Sequence, residues 1–244
     1  MRLTKLEHSA LLLEKDGAVL VIDPGVLTTE LPEVDGLVGV VLTHQHPDHW
    51  TPDHLAHLVG EAHDAVVLGP QGVVDAAREA GHEVTAVSAG DEVAVGPFTL
   101  RFTGGTHAPL HSSIPAVDNV GVVVDGVLYH PGDSFALPSG AGDDAADADA
   151  GSGSGSGTHA GTGTDAGTGT DGIEVLAVPV GAPWLTIGDA MDFVEQIGAP
   201  RVLGIHDLSL SEFGRTVHVR NLRAATERAG GEYLDLAAGE SLEL

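Results

Sequence analysis

Residues 44–49, His-Gln-His-Pro-Asp-His, place three imidazoles and one carboxylate within six positions, directly after the apolar run 37–42 (LVGVVL). A run of that kind reads as a mostly buried strand. The four polar groups therefore stand at a strand end, where the chain leaves the core and short side chains can converge. His44 and His46 alternate with turn-forming neighbours, while Asp48 and His49 are adjacent and can face different directions. That geometry serves two neighbouring metals, with His44 and His46 at one and Asp48 and His49 at the other. Imidazole and carboxylate without thiolate suit zinc, manganese or iron. The chain has no cysteine, which excludes disulfides, thiolate catalysis and Cys-ligated zinc or iron–sulfur centres. A merely polar loop is the competing reading. It fits the scattered His54, His57 and His63 better than four ligand types in six residues.

The same local pattern recurs three times. His107 follows the strand ending at Phe102, within Gly104-Gly105-Thr106-His107-Ala108. Asp133 follows a hairpin strand, within Tyr129-His130-Pro131-Gly132-Asp133-Ser134. His206 ends another apolar strand, within Leu203-Gly204-Ile205-His206-Asp207. One instance would mean little; three beside the histidine cluster mean a site.

The sequence resembles the metallo-β-lactamase fold superfamily. His44-Gln45-His46-Pro47-Asp48-His49 matches its HxHxDH signature, and Ile22-Asp23-Pro24-Gly25 matches its first motif. GGTHAPLH, NVG, HPGDS and VGAPW look most like the small zinc-dependent hydrolases related to ascorbate-6-phosphate lactonase. The resemblance implies His44, His46 and His107 on one metal and Asp48, His49 and His206 on a second, with Asp133 bridging both. It implies that Asp23 holds the signature loop by hydrogen bonds without touching metal. It also implies a metal pair bridged by hydroxide, with Asp48 orienting that hydroxide and carrying a proton to the leaving group. Members that hydrolyse β-lactams with a Cys at one metal position are disfavoured, because this chain has none. His111, Asn119, His130 and Trp184 are candidates for substrate contact. His8, near the amino-terminal hairpin, could approach the site across the sheets but is not counted in it.

Along the chain, strands are expected at 10–14 and 18–22 around Lys15-Asp16-Gly17, then at 37–42 and 65–68, with helices at 52–60 (Thr51 as N-cap) and 69–80, stopped by Gly81. Segments 83–87, 92–95 and 98–102 read as a meander, and 120–124 with 127–130 as a hairpin around Asp125-Gly126. Then come a strand at 173–178, a helix at 187–197, a strand at 201–205, a helix at 217–229 and a closing strand at 233–236. This gives an α+β chain of αββα layering, with two mixed β-sheets packed face to face and helices outside. Residues 139–172 hold no Leu, Ile, Val, aromatic, Lys or Arg, so a solvated low-complexity insertion is expected in one domain spanning 1–244. His159 there is read as exposed to solvent.

The 36 acidic against 10 basic residues give a formal charge of -26. Six of the acids lie in the insertion, so the acidity belongs to the folded part as well. Such a field repels phosphate backbones and anionic lipid. Nucleic acid and membranes are therefore not expected as partners, and a small-molecule substrate is. With no apolar stretch of spanning length and no signal-like start, a cytoplasmic protein is expected, adapted to a salty interior. Homo-oligomerisation is left open. The expected function is metal-dependent hydrolysis of a small ester, lactone or related substrate, using two divalent ions. Zinc is the first choice, with manganese or iron as alternatives. A small-molecule phosphodiesterase is the second reading, and a non-catalytic metal-binding protein is the rival of another class.

Overall fold

A computed structural model describes residues 1–60, 64–138, 170 and 172–244. The expectations for His63, for His159 and for all but two residues of the 139–172 insertion lie outside the described residues.

The chain begins with β1 (Arg2–Lys5), β2 (Leu11–Lys15), β3 (Ala18–Ile22) and β4 (Leu37–Val41). It continues through α1 (Pro52–Val59), β5 (Val66–Gly69), α2 (Gln71–Glu79) and β6 (Thr85–Ala86). The second half runs β7 (Glu92–Val95), β8 (Phe98–Thr106), β9 (Asp118–Val124), β10 (Leu128–His130) and β11 (Val175–Pro179). After these come α3 (Ile187–Ile197), β12 (Arg201–Ile205), α4 (Glu212–Arg228), β13 (Glu232–Leu234) and β14 (Ser241–Glu243). Two seven-stranded sheets result, ordered β14-β1-β2-β3-β4-β5-β6 and β13-β12-β11-β10-β9-β8-β7. In each, antiparallel hairpins lead into parallel strands, and helices link β4 to β5, β5 to β6, β11 to β12 and β12 to β13.

Side-chain alternation explains the layers. Leu20 and Ile22 of β3 face a central core with Val120, Val122 and Val124 of β9 and Leu203 and Ile205 of β12. Val19 and Val21 face the other way, onto Leu55 and Leu58 of α1 and Val73 and Ala77 of α2. On the second sheet Leu176 and Val178 pack outward on Phe193 and Val194 of α3 and Leu222 of α4. Both faces of the parallel strands are covered, and so they read as unbroken apolar runs. This is the expected αββα sandwich. Β4 carries a bulge against β3, where Val19 pairs with Leu37 but Leu20 pairs with Gly39; the extra residue resets which side chains face inward.

Local signals place most elements. Thr51 caps α1, its hydroxyl accepting from His54 N at 3.1 Å. Asp16-Gly17 and Asp125-Gly126 have positive φ at both positions, as tight hairpin turns require. Three expectations need correction. The meander fails because β6 pairs parallel with β5, and the chain then crosses to the other sheet before β7. Residues 233–236 do not close the chain, since β14 returns to pair with β1. Helix α4 starts one turn early, at Glu212, where the Ser211 hydroxyl accepts from Gly214 N.

Candidate metal centre

Strand direction brings the polar groups to one edge. Β3 and β4 run parallel, so Asp23 and residues 43–49 leave the first sheet on the same side. Β8 and β10 are both antiparallel to β9, and β10, β11 and β12 are parallel. His107, Asp133 and His206 therefore leave the second sheet at a common edge too.

The side chains meet in three overlapping groups whose donor atoms lie within 4.8 Å of one another: His44, His46 and His107; His44, His49 and Asp133; and His8, Asp48, His49 and His206. Asp133 stands between the outer two. Its Oδ1 lies 3.2 Å from His49 Nε2, and its Oδ2 lies 3.4 Å from His107 Nε2, 3.2 Å from His206 Nε2 and 4.0 Å from His44 Nε2. Asp48 Oδ2 is 3.2 Å from His206 Nε2, and His46 Nδ1 is 3.0 Å from His44 Nε2.

Outer contacts fix which nitrogen faces the centre. His49 Nδ1 donates to Asp23 Oδ2 at 2.7 Å, His107 Nδ1 to Ala108 O at 2.6 Å and His206 Nδ1 to Gly181 O at 2.7 Å. The Thr43 hydroxyl donates to Asp23 Oδ2 and so accepts from His44 Nδ1 at 3.1 Å. Four rings thus tie Nδ1 to an outer acceptor and turn Nε2 inward, the orientation that metal ligation needs. The Nε2 atoms of His49, His107 and His206 and Oδ1 of Asp133 are buried without a hydrogen-bonding partner. Buried orphans of this kind are costly, and divalent ions bound there would satisfy them; the donor groups fit such ions.

Backbone geometry is spent on this edge. Asp23, His8 and His206 have positive φ (49°, 57° and 56°), a conformation L-residues rarely adopt. Gly25 packs so tightly that an added Cβ would lie 1.8 Å from Asp48 O. Gly132, at φ 63°, leaves room for the Asn119 amide and Thr43. Asn119 accepts from Asp133 N at 2.9 Å and donates to Pro131 O at 3.0 Å, fixing that turn. Trp184 Nε1 donates to Asp133 Oδ2 at 2.9 Å.

Electrostatics divides the rings. Burial, reinforced by the charge on His49, holds His44 well below the usual imidazole range, and burial with His107 lowers His46. Both are ready as neutral ligands. Burial opposes charge on His49 too, but Asp133 and Asp23 outweigh it and raise that ring well above its ordinary value. His206 is pushed up to about 9: burial resists, and the contacts with Asp133 and Asp48 prevail. Burial likewise disfavours the charged carboxylates, yet His49, His107 and His206 hold Asp133 low, and His206 with His8 holds Asp48 low.

A model of the beta-lactamase superfamily domain matches residues 2–149 of this chain. The chain belongs to the beta-lactamase superfamily. The clusters above are its candidate metal positions. Over 232 residues, 93% of each chain, it is 28% identical to Protein Rv0786c of Mycobacterium tuberculosis. It is 31% identical over 153 residues to a UPF0173 metal-dependent hydrolase of Aeropyrum pernix, covering 54% of this chain and 61% of that one. In fold it is similar to Igni18, a metallo hydrolase of Ignicoccus hospitalis, with a TM-score of 0.66 at 18% identity, covering 100% of this chain and 98% of that one.

In this beta-lactamase superfamily member, all seven residues read as ligands (His44, His46, Asp48, His49, His107, Asp133 and His206) reach the cluster, and Asp23 stands behind it. Of the four read as substrate contacts, Trp184 bonds the Asp133 carboxylate and Asn119 the Asp133 backbone N–H. Asn119 and His130 are fully buried and turned to backbone, His130 through Ser9 O at 3.0 Å and Gly132 N at 3.1 Å. His111 is exposed and folds its own turn through Ser113. His8, left out by the sequence reading, is 1% exposed, with Nε2 3.4 Å from Asp48 Oδ2 and its ring 4.1 Å from that of His206. Leu208 N donates to His8 Nδ1 at 3.4 Å, so a neutral His8 carries its proton on Nε2, unlike the other rings. The signal available in sequence is only a lone histidine before a strand, too little to count it in the site.

Proposed function

We propose that the protein hydrolyses a small carboxylic ester or lactone with two divalent metal ions, zinc first among the candidates. The observation that carries this reading is the set of rings anchored through Nδ1 and turning Nε2 onto both sides of Asp133. His44, His46 and His107 would hold one ion and Asp48, His49 and His206 the other, with Asp133 shared. A metal pair held there supplies Lewis acidity toward a carbonyl and water activated at neutral pH. Asp48, whose side chain is 31% exposed, is the site carboxylate open to solvent, placed to take a proton and return it to a leaving group. Trp184 and Asn119 keep Asp133 in place.

The choice of an ester over a phosphodiester rests on missing cations. Among the described residues the nearest lysine to the cluster's edge, Lys5, is buried and committed to Leu6 O and Asp207. Arg215 is turned to Asp207 and Asp235. Neither is offered to a dianionic or diester phosphate. The lactonase-like motifs in the sequence point the same way. The Aeropyrum pernix relative's description as a metal-dependent hydrolase supports the reaction class.

The test is a metal count by mass spectrometry, followed by a hydrolysis panel of lactones, esters, thioesters and phosphodiesters. We expect close to two ions per chain and chelator-sensitive hydrolysis of lactones or esters. A count well below one, or turnover confined to phosphodiesters, would overturn it.

A further inference from the structure

Exposed aliphatic side chains are conspicuous on a chain of formal charge -26. Leu110 and Ile114 are 43% and 51% exposed, and both lie on the loop from β8 to β9 that starts at His107. With Pro109 and Val117 they wall a pocket of about 90 Å³ whose inner end is formed by His46 and His107. No acidic or basic side chain other than those two imidazoles lines it.

The pocket is built in advance. His107 N donates to Val117 O at 3.0 Å, closing the loop at its base, and Ala108 N donates to Asp133 O at 2.9 Å, tying it to the centre. At the tip, Ile114 N donates to His111 O at 2.9 Å, while His111 Nδ1 and Ser113 complete the turn. His111 therefore shapes the wall that presents Ile114. Two prolines, Pro109 and Pro115, stiffen the loop further, so little ordering entropy is lost when a ligand enters. Isolated exposed apolar residues need no explanation, but a preformed apolar pocket abutting a polar centre is the usual anatomy of a small-molecule site.

We propose that this pocket is the substrate's side-chain subsite, and that it takes a short, uncharged aliphatic group carried on the electrophilic carbon. The proposal rests on the hydrolase reading above and narrows it. Size sets the class: a cavity of ~150 Å³ holds a benzene ring, so this smaller one suits a few carbons of aliphatic chain. Charge sets it too, because an anionic group would be desolvated there without any donor beyond the two rings.

The experiment uses metal-loaded full-length protein and alkyl hydroxamates as metal-directed probes, read by titration calorimetry and so independent of turnover. Acetohydroxamate, butyrohydroxamate and hexanohydroxamate are compared with succinic monohydroxamate. Affinity should rise about fourfold for each of the first two methylenes and then level off, with the succinic probe weaker than the butyro probe. In Ile114→Asp and in Leu110→Asp, both surface changes, the butyro-to-aceto ratio should collapse toward one. A flat series in the parent protein, or succinic binding as tight as butyro, would overturn the subsite while leaving the hydrolase reading standing. Protein that takes up no metal and binds no hydroxamate would remove the hydrolase reading and the subsite with it.

Discussion

Asp133 and His8 both reach the centre yet act on it in different ways. Asp133 offers two oxygens to rings from three different strand ends, and Trp184 holds one of those oxygens. Asp133→Asn removes the charge that both ligand sets share, so metal content should fall below half its parental value. His8 turns its Nε2 to within 3.4 Å of Asp48 Oδ2 while Leu208 N occupies its Nδ1; with its proton on Nε2 it would orient Asp48 and offer no lone pair to a metal. His8→Asn keeps a residue tolerant of φ 57° and should leave the metal count unchanged. Loss of a supporting partner of this kind costs about 10- to 100-fold in kcat. Mass-spectrometric metal counts and steady-state kinetics on the two variants check this contrast. Equal metal loss in both would make His8 a ligand after all.

Between elements, the decisive joint is where the segment after β3 passes under the loop after β4. Val26 N donates to Pro47 O at 2.8 Å, and Asp23 accepts from Thr43 N at 2.8 Å. Gly25 fills the space between with nothing to spare. Gly25→Ala would drive a Cβ into Asp48 O and the backbone of His49, and overpacking of a rigid site costs about 1–3 kcal/mol or more. Gly17→Ala is the matched control: its φ of 80° makes alanine strained, but nothing lies within 4 Å of the added Cβ. Both variants should melt lower than the parent. Only Gly25→Ala should also weaken metal binding, as measured by competition with a chromogenic chelator. An unchanged metal affinity there would mean that the signature loop is not braced from β3.

At the scale of the whole molecule, charge dominates. Thirty-six acids against 10 bases crowd like charge over one surface. The Debye length falls from ~10 Å at 0.1 M salt to ~3 Å at 1 M, removing most of that repulsion. Unfolding relieves repulsion and gains least when salt has already screened it. The melting midpoint should therefore rise steadily from 0.1 to 3 M KCl at fixed free metal. Metal release from a weakened fold should steepen the trend at the low-salt end. A flat or falling midpoint would remove the inference of a salt-rich setting. Among the described residues no helix is long and apolar enough to cross a membrane.

What the sequence determined alone is local in origin. Alternation and turn chemistry located β3, α3 and β12 to the residue, and Asp16-Gly17 and Asp125-Gly126 announced their hairpins. Buried runs ending in His or Asp marked where ligands stand, because a strand end is the nearest exit from a core. Tertiary structure decided the rest, and for one reason: the partners are far apart in the chain. Β6 is two exposed residues and β14 two half-exposed and one exposed, too short to show a pattern, and they are strands only because β5 and β1 supply their hydrogen bonds. The bulge in β4 needs β3 beside it. His8 enters the centre because the turn after β1 accepts His206 N at 3.1 Å across 198 positions of sequence, and Asn119 and His130 turn to backbone because their strands lie behind the ligands. Residue type and spacing name the chemistry, whereas the direction a side chain faces is set by neighbours that periodicity cannot see.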